Sequence, residues 1–192
     1  WIQKLGYDYF IFDYRGYGKS QGEPSPRGTV EDGHAALRWA HKKNPKVPLI
    51  VVGQSLGGAI AMRTVADLKN EVPVKLVVAD STFHSYQEIG RKTLAKFWLT
   101  WLLQPLAYVL LSDHYAPGKR IAEISPSKII VVHGTKDSAI PFSMGKRIFE
   151  IAKDPKDFWE VKDGSHIDFT WRIPEGYRDR LIKEFDTAAA LK

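Results

Sequence analysis

The sequence contains no cysteine, and this absence removes several kinds of chemistry at once. A chain without cysteine has no disulfide, no thiolate metal ligand and no thiol nucleophile. Its six histidines show no His-Glu-x-x-His or comparable ligand spacing, so the residue pattern predicts no metal site.

Long runs of like charge are also missing, although the net charge is +6. The lysines and arginines are spread along the whole chain, and no nucleic-acid-binding motif accompanies them. We therefore interpret the charge as a solvated basic surface and expect no nucleic-acid partner. Attraction to an anionic membrane is the alternative interpretation.

The glycines of a phosphate-binding loop are missing from the one stretch that resembles such a loop. Gly18-Lys19-Ser20 ends like a P-loop, but Asp13 stands where the first glycine is needed, and a Gly-x-Gly-x-x-Gly pattern from Gly16 would require glycine at Gln21. Without those glycines the backbone N–H groups cannot close around a phosphate. The stretch is therefore interpreted as a turn that follows a buried strand at residues 7–13.

Short apolar segments alternate with helix-like segments along the chain. Strands are predicted at 7–13, 47–52, 74–79, 128–132 and 157–161, and helices at about 30–43, from Leu56 onward, at about 142–152 and at about 175–190. This alternation predicts an α/β fold, with a mostly parallel sheet covered by helices on both faces. The length of 192 residues fits a single domain at 1–192.

The stretch Gly53-Gln54-Ser55-Leu56-Gly57 directly follows an apolar strand and precedes a helix. This order of strand, turn and helix is what a nucleophile elbow requires. The glycines two positions either side of the serine remove side chains that would clash where strand and helix approach each other. We expect Ser55 to be exposed as a nucleophile at the carboxyl edge of the sheet; a structural strand-to-helix turn is the alternative.

A serine hydroxyl needs a base to remove its proton, and the base needs a third group to orient it. His166 lies in the loop after the last predicted strand, and Asp137 lies just past the strand before it. Both side chains can reach the edge where Ser55 lies. The residues therefore predict a triad of Ser55, His166 and Asp137.

Three other residues could compete for these roles. Asp80 follows the strand at 74–79 and is the alternative acid. Asp13 is expected to fix its own turn, and His133 is expected to organise its loop instead of acting as the base.

Four motifs, in this order, resemble the α/β-hydrolase superfamily, in particular the ABHD-type and serine-aminopeptidase-like hydrolases. They are Asp13-Tyr14-Arg15-Gly16-Tyr17-Gly18-Lys19-Ser20, Gly53-Gln54-Ser55-Leu56-Gly57-Gly58, His133-Gly134-Thr135-Lys136-Asp137 and Gly164-Ser165-His166. The resemblance extends from residue 1 to about 187. It implies the same triad in the same order, no cofactor, and the backbone N–H of Leu56 as one donor of the oxyanion hole.

The family places a second oxyanion donor in a loop that follows an earlier strand. The chain starts with a helix-like turn at 1–6 that is closed by Gly6. We therefore expect the missing N-terminal strands and the second donor upstream of Trp1.

The apolar segment 94–111, LAKFWLTWLLQPLAYVLL, approaches the length of a membrane span. Spanning is not expected, because a single crossing would separate Ser55 from Asp137. Pro105 should break or kink a helix here. One interpretation is a core helix; the other is an apolar lid or membrane-leaning surface suited to acyl chains, within a helical lid-like insertion at about 82–118.

Together these observations predict a serine hydrolase of carboxylic ester, thioester or lipid acyl bonds. A peptidase or amidase of the same fold and a non-catalytic hydrolase-fold binding module are the alternatives. The expected partner is a small-molecule or lipid acyl substrate, with peripheral membrane contact through 94–111. The compartment stays open between the cytoplasm and a membrane surface.

Overall fold

The fold is built around a parallel sheet of four strands. The structure is a computed structural model and describes residues 2–167 and 176–191. The strands are β1 (Leu49–Gln54), β2 (Val74–Asp80), β3 (Lys128–Gly134) and β4 (Lys156–Val161), and they lie side by side in this order. All three neighbouring pairs are parallel, so the carboxyl ends of the strands share one edge.

Helices connect the strands, as parallel pairing requires. They are α1 (Pro26–Lys43), α2 (Leu56–Leu68), α3 (Tyr86–Leu94), α4 (Leu106–Leu110), α5 (Phe142–Ile151) and α6 (Tyr177–Ala190). Three short 3-10 helices lie at Gln3–Leu5, Trp98–Leu103 and Ile121–Glu123. Two predicted helix starts lie outside the described residues. They are Trp1, in the helix-like turn at 1–6, and residue 175, where the last predicted helix begins.

Alternate residues of the strands are buried on opposite faces of the sheet. Val77 and Val131 point to the face covered by α1, α2 and α5, whereas Val78 and Val132 point to the face covered by α6. This is the two-residue period of a strand that is buried on both sides. The predicted parallel sheet with helices on both faces is confirmed.

The predicted strand at 7–13 is wrong. Residues 7–13 form none of the four strands, and Tyr9, Phe10 and Ile11 are exposed. A strand needs a neighbour that accepts its backbone hydrogen bonds, and among the described residues β1 pairs on one side only, with β2. Phe10 instead packs against Trp39 of α1, with ring centroids 4.6 Å apart and the ring planes tilted by 38°.

The first long helix begins earlier than its sequence pattern suggests. α1 begins at Pro26, and the hydroxyl oxygen of Ser25 accepts a hydrogen bond from the Gly28 N–H at 3.0 Å. Thr29, which directly precedes the predicted start of this helix at about residue 30, lies inside the helix and donates its hydroxyl to the Ser25 carbonyl. Proline at the first helical position suits this earlier start, since it lacks an N–H that would otherwise need a partner.

Residues 94–111 do not form one helix. α3 ends at Leu94, the 3-10 helix at Trp98–Leu103 follows, and α4 begins directly after Pro105, as expected of a proline. Within the described ranges, no helix combines the length and the apolar character needed to cross a membrane.

Candidate active site

Ser55 lies in a sharp turn between β1 and α2. Its φ of 50° and ψ of −124° are unusual for a residue that has a Cβ atom. The turn is held by the Ser55 N–H, which donates to the Asp80 carbonyl at 2.9 Å, and by the Thr82 hydroxyl, which donates to the Ser55 carbonyl at 2.6 Å. The serine therefore projects from the carboxyl edge of the sheet, as an elbow requires.

The glycines of the elbow have unequal roles. A Cβ atom at Gly53 would lie 2.6 Å from the Gly57 carbonyl oxygen, and one at Gly58 would lie 2.8 Å from the Thr82 Cβ. A Cβ atom at Gly57 would meet only the Tyr14 hydroxyl, at 3.9 Å. The close approach predicted for Gly53 and Gly57 therefore occurs at Gly53 and Gly58, because Gly57 faces open space.

The structure brings the three predicted triad residues together. His166 Nε2 lies 3.1 Å from the Ser55 hydroxyl oxygen, and His166 Nδ1 lies 2.8 Å from Asp137 Oδ2. The three residues come from three different loops. His166 lies 111 positions after Ser55 and 29 positions after Asp137 in the sequence. The imidazole thus stands between a hydroxyl and a carboxylate, the arrangement in which histidine can take the hydroxyl proton.

The carboxylate of Asp137 is held by its own loop. Oδ1 accepts hydrogen bonds from the Ala139 and Ile140 N–H groups at 2.9 and 2.8 Å, and Oδ2 faces both His166 and His133. Burial acts to raise the pKa of Asp137, but hydrogen bonds from His133, His166 and the Ile140 N–H outweigh it, so that this pKa is lower than the ordinary value. Asp137 is therefore poised as a carboxylate.

The alternative acids occupy other positions. Asp80 is 1% exposed, and its two carboxylate oxygens accept from the Ser81 hydroxyl at 3.0 Å and the Gln54 amide at 3.4 Å. Asp13 accepts the Lys19 N–H at 3.2 Å, and its backbone carbonyl accepts the Ser20 hydroxyl. Asp13 thus fixes the glycine-rich turn, as predicted.

The sequence pattern did not single out Ser81 and Thr82, which support the site from the end of β2. The Ser81 hydroxyl donates to Asp80 and accepts the Ile167 N–H at 3.1 Å, which ties the loop that carries His166 to the sheet. Ser81 itself has a positive φ of 48°. The only signal in the sequence is their place directly after a buried strand, where parallel sheets hold functional residues.

Leu56 occupies the first position of α2, where a backbone N–H has no partner within its own helix. No residue in 2–167 or 176–191 accepts a hydrogen bond from this N–H. It is therefore available as a donor beside the Ser55 hydroxyl.

An open apolar groove of about 570 Å³ lies between α3 and α4. Its walls come from Tyr86, Ile89, Gly90, Thr93, Leu94, Leu103, Leu106, Ala107, Leu110 and Leu111. Tyr86 and Ile89 also pack against a buried cluster whose members include Ala59 and Ile140, which lie close in sequence to Ser55 and Asp137. One end of the groove thus adjoins the residues around the triad.

Tyr14, whose hydroxyl lies nearest to Gly57, has a raised pKa. Burial is the main cause, and the Asp32 carboxylate and the nearby Tyr86 add to it.

Segment 94–111 exposes a large apolar surface beside this groove. The exposed large side chains are Phe97, Trp98, Leu99, Trp101, Leu102, Leu103, Leu106, Tyr108, Val109, Leu110 and Leu111. Lys96 connects the segment to the loop at 135–141 that carries Asp137, which we call the acid loop. The Lys96 ammonium group donates to the backbone carbonyls of Ser138 and Ala139 in this loop. Contiguous apolar surfaces of this kind mark interaction sites.

In the part of the chain that the structure describes, no group of three or more histidine, aspartate or glutamate side chains is arranged to hold a metal ion.

The chain is similar to a known protein family and to individual proteins. The family model described as serine aminopeptidase, S33, matches residues 1–125. The uncharacterized protein YfhR of Salmonella typhimurium is 32% identical over 203 residues, which cover 100% of this chain and 66% of that protein. The lysophosphatidylserine lipase ABHD12 of Gallus gallus is 28% identical, over 96% of this chain and 51% of that protein. The chain thus spans less than two thirds of the length of these relatives.

Two solved structures show the same fold. The esterase Pf2001 of Pyrococcus furiosus superposes with a TM-score of 0.70 at 23% identity, over 97% of this chain and 73% of that chain. Acetyl xylan esterase 1 of Thermoanaerobacterium superposes with a TM-score of 0.66 at 19% identity, over 92% and 64%. The α/β-hydrolase fold predicted from the four motifs is confirmed.

Proposed function

The chain belongs to the serine aminopeptidase S33 family of α/β-hydrolases, and from this premise we propose that it is a serine hydrolase of carboxylic ester, thioester or lipid acyl bonds. One observation carries the proposal: a single imidazole, His166, lies within hydrogen-bond distance of both the Ser55 hydroxyl and the Asp137 carboxylate. A structural turn would not require a base and an orienting acid beside its serine.

The proposed reaction proceeds through an acyl-enzyme. The Ser55 oxygen attacks the acyl carbon while His166 Nε2 takes the hydroxyl proton, and the Leu56 N–H stabilises the oxyanion that forms. The bond to the leaving alcohol or thiol breaks, and His166 returns the proton to it. Water then attacks the acyl-serine by the same route, which releases the acid and restores Ser55. Asp137 stays ionised and orients the imidazole throughout.

The apolar groove supports an acyl substrate. A groove lined by leucine, isoleucine and alanine side chains, with one end adjoining the triad, suits a hydrocarbon chain and offers no charged group to a peptide. The similarity to a protein named as a lysophosphatidylserine lipase agrees with a lipid substrate. We propose that residues 1–192 are one domain, in which the lid-like insertion at 82–118 itself forms this groove.

Peripheral membrane contact through 94–111 is part of the same proposal. The exposed apolar side chains of this segment include Trp98, Trp101 and Tyr108, and tryptophan and tyrosine favour the interface between water and lipid. A lid that rests on a membrane could receive a lipid chain directly into the groove. The net charge of +6 would favour anionic lipids.

A peptidase or amidase is the second candidate, favoured by the name of the matching family. The same triad chemistry serves amides and esters, since both pass through a tetrahedral oxyanion. Comparison of matched ester and amide substrates with one acyl group distinguishes the two.

Fluorophosphonate labelling of the full-length protein tests the proposal, with intact mass and peptide mapping of the adduct. We expect one adduct on Ser55, and we expect His166→Ala to abolish it because the hydroxyl then has no base. The absence of an adduct on folded protein would instead favour a non-catalytic binding module.

A further inference from the structure

A second histidine lies beneath the acid loop and has no role in the reaction described above. His133, at the end of β3, is 0% exposed. Its Nε2 lies 2.9 Å from the Ile140 carbonyl oxygen and 3.4 Å from Asp137 Oδ2. His166 Nδ1 approaches the same Oδ2 at 2.8 Å. Two imidazoles therefore share one carboxylate oxygen.

The surroundings of His133 define where its proton lies. A carbonyl oxygen only accepts hydrogen bonds, so the contact with Ile140 requires a proton on Nε2. Nδ1 is buried and finds no hydrogen-bond partner within the described ranges. It lies against Gly145 of α5, where an added Cβ atom would approach within 2.5 Å of it. A proton on Nδ1 would be a buried donor without an acceptor, which is costly, so the contacts place the proton on Nε2.

The backbone of Ile140 links His133 to the acid. Its carbonyl accepts from His133, and its N–H donates to Asp137 Oδ1 at 2.8 Å. The approach of His133 Nε2 to Oδ2 at 3.4 Å is a second, direct connection. Each carboxylate oxygen of Asp137 is thus connected to His133.

We propose that His133 is a positioning residue of the triad: its Nε2–H holds the Ile140 backbone, and with it the Asp137 carboxylate, in the orientation that points Oδ2 at His166 Nδ1. The inference rests on the proposed function, since the orientation matters only if Ser55 and His166 act in catalysis. His133 contacts no substrate in this arrangement. Its loss should therefore reduce kcat and leave KM almost unchanged.

Two variants separate the hydrogen bond from the space that the ring fills. His133→Phe keeps a ring of similar shape without the donor, and His133→Gln restores an N–H donor at a similar reach. With a soluble p-nitrophenyl acetate substrate, we expect kcat of His133→Phe to fall roughly 10²-fold, the effect of a displacement of about 1 Å at a reacting group. We expect His133→Gln to recover most of that loss.

The pH profile supplies a readout that a purely structural role would not change. Among the described residues, the titratable and charged groups that face the loop of Asp137 are His166, Asp163, which pairs with Lys136 of the loop at 2.8 Å, and, from segment 94–111, Lys96. A less well placed carboxylate stabilises the protonated form of His166 less. The acid limb of kcat/KM should therefore move to lower pH in His133→Phe. Equal kcat and an unchanged acid limb in a folded His133→Phe protein would overturn the inference.

A measurement on the unmodified protein covers the case in which a variant fails to fold. Nitrogen-15 NMR distinguishes the two tautomers, and we expect the proton of His133 on Nε2 and that of His166 on Nδ1. A proton on Nδ1 of His133 would overturn the inference. Fluorophosphonate labelling of the same sample separates the two hypotheses: no labelling at Ser55 rejects the proposed function and the inference together, whereas normal labelling with a contrary tautomer rejects the inference alone.

Discussion

The carboxyl edge of the sheet and segment 94–111 are neighbours with opposite properties. At the edge, Asp137 is buried and accepts hydrogen bonds from its own loop and from two histidines. In the segment, Trp98 is 86% exposed and Leu102 is 79% exposed. The edge is defined by directional bonds within the chain, whereas the segment presents apolar surface that nothing in the described chain covers. The difference suggests that geometry is essential in one region and apolar area in the other.

The largest expected effect comes from breaking the edge. Asp137→Asn should reduce kcat about 10⁴-fold, because an amide that donates to His166 favours the wrong tautomer of the imidazole. Steady-state hydrolysis of p-nitrophenyl acetate checks this. Asp80→Asn is the matched control, since Asp80 is also buried beside the site but contacts Gln54 and Ser81. A comparable loss in Asp80→Asn would assign the acid role to Asp80.

A smaller effect is expected from the apolar surface. Leu102→Asp should weaken partitioning onto phosphatidylcholine vesicles with phosphatidylglycerol about 10- to 100-fold, since burial of one leucine is worth about 1.5–3 kcal/mol. Hydrolysis of p-nitrophenyl acetate in solution should stay unchanged. Val47→Asp removes an exposed apolar residue before β1, at the other end of the strands. If both variants lose the same affinity, the segment has no special role in membrane contact.

The smallest expected effect tests the groove between the two regions. A side chain at Gly90 would point at Leu111, whose Cδ1 lies 2.4 Å from an added Cβ atom. Gly90→Leu should therefore fill the groove and reduce kcat/KM for long-chain esters about tenfold, the value of roughly two buried methylene groups. Acetate esters should be unaffected, and Gly90→Ala should be intermediate. An equal loss on acetate and long-chain esters would indicate a general disturbance instead of a chain-binding groove.

The edge could be predicted from the sequence because its residues follow strict local rules. Apolar runs such as 74–79 and 128–132 became β2 and β3 with small changes at their ends. Ser55, Asp137 and His166 each follow a strand, and parallel strands bring such residues to one edge. The sequence could not separate Gly57 from Gly58, because the contact with Thr82 depends on a strand far along the chain.

The apolar stretches at 7–13 and 94–111 were harder to predict. Their apolar composition is the same whether or not they pair with a strand or pack into the core. Residues 7–13 have the composition of a strand, yet no described strand pairs with them and Ile11 is 81% exposed. In segment 94–111 the break at Pro105 was predicted, whereas the 3-10 helix at Trp98–Leu103 was not. In both stretches the local pattern fixes the apolar character, while the pairing partner decides the structure.

The backbone conformation of Ser55 lowers the stability of the fold at the residue whose hydroxyl the proposed reaction needs. A side chain held at φ 50° and ψ −124° costs about 1–3 kcal/mol of conformational strain, and a domain of this kind has only about 5–15 kcal/mol of net stability. Glycine would relieve that strain and remove the proposed nucleophile. Selection for stability alone would therefore replace Ser55, and its presence in so unfavourable a conformation is the trade-off expected where a reactive hydroxyl has been retained for its activity.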